Sequence, residues 1–190
     1  MAAPAAPTPG VLTPAPPSAA PWGRRMGGLL SLLVYAAVVS HPATRWVVAS
    51  DRLGCVDPHA LVDTAVLLAG VVLGLAWGAD AVRAAYAGAD ALLSEASPPR
   101  RRAYVRTLAV LTVVLGMAVN VLWILPSLNL FVDRHAALAV EVDVLVYLMG
   151  ALAGAAWHAI LDRQAWVGAL VTAAMSLMVV GGVLSQHAWC

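Results

Sequence analysis

The sequence predicts an all-α integral membrane protein, a bundle of five transmembrane helices with the N-terminus in and the C-terminus out. Three observations carry that prediction. Hydrophobic residues make up 62% of the 190-residue chain and charged residues only 11%, far below the roughly one quarter charged in a soluble domain. Apolar runs of about 20 residues, long enough to cross hydrocarbon as helices, alternate with short breaks rich in proline, arginine and aspartate. The arginines divide unequally between alternate breaks, which is the signature of a fixed orientation.

Residues 1–25 read as a Pro- and Ala-rich cytoplasmic tail, because Pro4, Pro7, Pro9, Pro14, Pro16, Pro17 and Pro21 stand too close together for helix or strand. Arg24 and Arg25 follow this tail rather than opening the chain, so the first apolar run reads as an uncleaved anchor and not a signal peptide. Residues 26–190 form one membrane domain, with no room for a second of ordinary size.

Span one covers 26–48, broken late by His41 and Pro42 and anchored by Arg45 and Trp46. Span two covers 60–78. Its helix is expected to run on toward Glu95, since Asp80 and Arg83 form an i,i+3 pair, until Ser97, Pro98 and Pro99 stop it. Span three covers 103–125 and ends at Pro126 and Ser127. Span four covers 136–160, and an Asp162-Arg163-Gln164 turn leads into span five, 165–186.

Five spans place Arg24, Arg25, Arg83, Arg100, Arg101, Arg102, Arg106 and Arg163 on one side and only Arg45, Arg52 and Arg134 on the other. The richer side is expected to be cytoplasmic. All eleven basic residues are arginine, a bias that suggests a GC-rich coding sequence and a bacterial inner or plasma membrane. A net charge of +1 without a basic patch on a water-exposed domain argues against a nucleic-acid partner.

Polar residues inside the spans gather in the outer leaflet: His41, Asp63, Asn120, Glu141, Asp143, Gln186 and His187. Snorkelling of span ends explains some of this. Periodicity adds more. In span four, Asp143, Tyr147, Gly150, Gly154 and His158 fall in one stripe, whereas Glu141 lies roughly 200° round the helix on the Leu145, Leu148 and Leu152 side. Span two repeats the arrangement, with Asp63 heading Gly70, Gly74 and Gly78. Small-residue stripes pack against other helices, so spans two and four are expected to touch, with Asp63 and Asp143 at similar depth. Two such acids in close approach would hold a proton between them.

Asp63 and Asp143 are the candidate acid or base residues, and Asn120, Glu141, Tyr147 and Gln186 the candidate ligand contacts. His41, His59, His135 and His187 could hold a copper, iron or zinc ion, or a pair of them a haem, although no compact ligand motif is present. Cys55 and Cys190 fall on the same outer side and could form a disulfide in an oxidising compartment. The run Arg100-Arg101-Arg102 with Arg106 is expected to meet anionic headgroups, and the tryptophans at span ends form aromatic belts.

Asn120-Val121-Leu122-Trp123, together with five spans, resembles the tryptophan-rich sensory and translocator proteins, a resemblance that implies porphyrin or sterol binding. Leu125-Pro126-Ser127-Leu128-Asn129 resembles small membrane oxygenases of the anthrone-oxidising kind. The Trp- and Pro-rich start of the former family's second helix and the Pro-Tyr pair of its last helix have no counterpart here, so neither resemblance assigns a family.

Three function classes follow: a module that binds or transports a small apolar ligand, a metal or a proton; a small membrane enzyme, an oxygenase or other oxidoreductase or an acid/base catalyst; and an accessory subunit that contacts a membrane-protein partner or a second copy of itself.

Overall fold

In a computed structural model, residues 21–40, 58–93, 97–123, 136–161 and 164–187 are described. They form five helices: α1 (Pro21–Ser40), α2 (Pro58–Leu92), α3 (Pro98–Trp123), α4 (Ala136–Leu161) and α5 (Ala165–His187). Three of them, α2, α3 and α4, are long and apolar enough to cross a membrane. Among the residues whose side chains are described, α5 contributes the apolar stretch Ala165–Met178, and α1 spends its first turns on Arg24 and Arg25. The residues around Pro42, Arg45, Cys55 and Pro126 lie outside the described set.

Proline sets three of the starts. Pro21, Pro58 and Pro98 each open a helix, where the missing N–H is one of those left unpaired in any case and φ is already helical. Two sequence expectations are corrected by this. Residues 21–25 belong to α1 rather than to the tail, and Pro98 and Pro99 stand in the first turn of α3 rather than acting only as a stop. Ser97 caps that turn through its carbonyl, which accepts from the backbone N–H groups of Arg100 (3.0 Å) and Arg101 (3.2 Å).

The long continuation expected for span two is present. At 35 residues, α2 is about 52 Å long at 1.5 Å per residue, against roughly 30 Å of hydrocarbon. Asp80 marks a boundary along it, paired with Arg83 one turn on and with Arg24 of α1. Beyond it, Val82, Tyr86 and Ala89 pack with Val105 and Ala109 of α3 and with Ala156 and Ala159 of α4. Asp90 binds Arg101 at 3.0 Å and ties the far end of α2 to the start of α3.

The direction of each helix follows from its contacts. The closest packing joins α2 to α4, where Leu67 meets Gly150, Val71 meets Gly154, Gly74 meets Ala151 and Gly78 meets Ala155. Within each of the two rows of contacts, Leu67–Gly150 to Val71–Gly154 and Gly74–Ala151 to Gly78–Ala155, the numbers rise together, so α2 and α4 are parallel. In α1 the order reverses: Gly27 meets Ala76 and Ser31 meets Ala69. α3 also runs against α4, with Gly116 beside Met149 and Ala153 and the earlier Val105 and Ala109 in the cluster of the later Ala156 and Ala159. α5 returns along α4, laying Gly168 and Thr172 on Trp157, whose indole N–H donates to Thr172 Oγ1 at 2.9 Å.

Candidate functional site

The α2–α4 contact is made by backbone. A Cβ placed on Gly70 would strike the Tyr147 carbonyl oxygen, one on Gly74 the Ala151 carbonyl oxygen, and ones on Gly150 and Gly154 the carbonyl oxygens of Leu67 and Val71. Only residues without a side chain admit so close an approach, the small-residue packing by which membrane helices associate when no hydrophobic force distinguishes protein from lipid. His158 closes the seam at the arginine-rich end. Its Nε2 donates to the Leu75 carbonyl at 2.9 Å, because a carbonyl can only accept.

The register of this seam, about 80 residues in sequence between facing positions, sets Asp63 level with Asp143 when extended two turns toward the other end. Asp63 is only 7% exposed. Asp143 is half-buried, and Glu141, on the other side of α4, is exposed. Both aspartates take part in polar or electrostatic contacts of their own. Seventeen residues, about 26 Å of helix, separate Asp63 from Asp80, so ionisable groups stand at both ends of a stretch close to the thickness of the hydrocarbon core.

Beneath the acids lies a short hydroxyl chain contributed by α1. Ser31, fully buried, donates to the Ala69 carbonyl at 2.6 Å. Its oxygen lies 2.7 Å from the Tyr147 hydroxyl. A serine hydroxyl has one proton, and with that proton on Ala69 the Tyr147 hydroxyl is the donor to Ser31. The Tyr147 ring packs on Tyr35, with centroids 4.6 Å apart and planes at 42°, a tilted aromatic contact. Tyr35 in turn lies within electrostatic reach of Asp143. Val66, Leu67, Ala69 and Val146 enclose the group.

Of the residues singled out from sequence, the fold thus brings Asp63, Asp143 and Tyr147 to one end of one helix pair. His59, Asn120, Gln186 and His187 fall within helices, but their side chains lie outside the described residues, as do His41, His135, Cys55 and Cys190 altogether. Among the described residues no group of three His, Cys, Asp or Glu side chains stands together as a metal site would require. Ser31 and Tyr35 were not singled out. Ser31 is one hydroxyl in an apolar helix, and its role becomes visible only when α1 is laid across α2.

On the other side of the α1–α2 contact is an apolar groove of about 280 Å³, lined by Leu30, Ser31, Val34, Leu68, Ala69 and Val72. It shares Ser31 with the hydroxyl chain but lies away from the α2 face that carries Asp63. Comparison with protein-family models, curated proteins and solved structures finds no match to this chain.

Proposed function

We propose that the protein is a five-span module of a bacterial plasma or inner membrane that binds or moves a proton at Asp63 and Asp143. The observation that supports this reading is the shared level of the two aspartates at the head of the glycine seam, with Asp63 buried. Placing a carboxylate at membrane depth costs about 2.5–3.5 kcal/mol on insertion scales. A helix that needed only close packing would gain nothing from that cost. Two carboxylates near one another favour retention of a proton on one of them.

In this reading α1 and α5 also cross, the end carrying Arg24, Arg83 and Arg101 is cytoplasmic by the positive-inside rule, and the aspartates stand in the outer leaflet. Infrared difference spectroscopy of the protein in lipid, recorded across a pH change, tests the proposal. A carboxylic-acid band should appear in the wild type and be lost in both Asp63→Asn and Asp143→Asn, with helicity unchanged. A band present in neither the wild type nor the variants, or untouched by both substitutions, rules the site out.

The groove between α1 and α2 favours a second reading, a small apolar ligand held against Leu30, Val34 and Leu68. Enzyme and accessory-subunit readings rest on the same two acids. The first predicts loss of turnover in Asp63→Asn, the second loss of a co-purifying membrane partner.

A further inference from the structure

α3 opens with Arg100, Arg101 and Arg102 and carries Arg106 a turn later. The neighbouring carboxylates are already engaged: Asp90 holds Arg101, and Asp80 holds both Arg24 and Arg83. Among the described residues no carboxylate meets Arg102 or Arg106, and both are exposed.

Their i,i+4 spacing sets one guanidinium above the other on the same flank of α3. Val110 and Val114 continue that line, 45% and 59% exposed, while the adjacent stripe of Val105, Ala109 and Met117 faces the core. A cationic pair therefore heads an exposed apolar strip. The height follows from the cluster that Val105 and Ala109 share with Ala89, past the Asp80 boundary, and with Ala156 and Ala159 in the last turns of α4. Arg106 thus stands at the level where charge meets hydrocarbon.

We propose that Arg102 and Arg106 bind the phosphate of an anionic phospholipid whose acyl chain lies along Val110 and Val114. Guanidinium groups match phosphate oxygens in paired hydrogen bonds, and the forks of two arginines one turn apart, which meet no carboxylate among the described residues, converge on a single headgroup. The other flank of α3 provides an internal contrast. Tyr104, Leu108, Leu111 and Leu115 are equally exposed there, but a lone arginine, Arg100, heads them.

Native mass spectrometry of the full chain in a neutral detergent, titrated with phosphatidylglycerol, phosphatidylcholine or inorganic phosphate, tests this. Phosphatidylglycerol should remain bound to the wild type, and its affinity should fall about tenfold or more in Arg102→Gln/Arg106→Gln, given the surface attraction that two arginines supply. The charge-matched Arg25→Gln/Arg100→Gln variant should bind as the wild type does. Arg102→Lys/Arg106→Lys, which keeps charge and loses the fork, should fall between. Equal loss in the charge-matched variant, or equal binding of phosphatidylcholine, overturns the proposal. Inorganic phosphate displacing the lipid at similar concentration assigns the site to free phosphate and overturns it as well. Circular dichroism reports whether the double variant folds, and Arg106→Gln alone replaces it if it does not.

Discussion

Two helices reach α4 by opposite means. Against α2 the contact is backbone on backbone, with Gly70, Gly74, Gly150 and Gly154 each facing a carbonyl oxygen. Against α3 it is mainly side chain on side chain: Val105, Ala109 and Val113 cluster with Ala156 and Ile160, and a Cβ on Gly116 would make only an ordinary 3.6 Å contact with the Met149 carbonyl oxygen. An interface of side chains can absorb an added methyl by changing rotamers. An interface of backbone has nothing to move, so its register is fixed, and with it the relative height of Asp63 and Asp143.

Substitution separates the two. Gly74→Val drives two methyls into the Ala151 carbonyl, and overpacking at an interface with no rotamers to yield should cost about 3 kcal/mol or more. Thermal unfolding in detergent should show a lowered midpoint or no cooperative transition, and an unchanged midpoint would break the contrast. Gly116→Ala acts on α3 in the opposite sense. Its new Cβ meets only ordinary contacts, at 3.6–3.9 Å, so helix propensity should raise stability by up to about 1 kcal/mol. A loss there would mean that α3 is packed as tightly as α2. Smallest is Tyr147→Phe, which removes the donor to Ser31 and leaves both rings in place. The same unfolding measurement should fall by about 0.6–1 kcal/mol, the usual worth of one interhelical hydrogen bond; no change would show that the Tyr147–Ser31 bond does not help to hold α1.

The seam was legible in the sequence because glycine at four-residue spacing has one principal use in a membrane helix, and because Gly70–Gly74–Gly78 and Gly150–Gly154 each trail an aspartate. The length of α2 was legible from Asp80 and Arg83, whose spacing persists only if the helix does. The start of α1 was misplaced, since prolines dense enough to forbid helix in the tail include Pro21, which opens one. Tyr147 was read as a candidate ligand contact; its hydroxyl donates to Ser31. No periodicity within a single helix could reveal that, because the partner comes from another helix lying across it. Tyr35 escaped for the same reason.

The overhang of α2 makes the molecule unequal on its two faces. Some fourteen residues follow Gly78 on this helix, about 20 Å of rod, and Gly88 within it has nothing within 4 Å of where a side chain would begin. That position is a natural handle: a label or a graft can be carried there on a rigid stem and report on the seam without touching it.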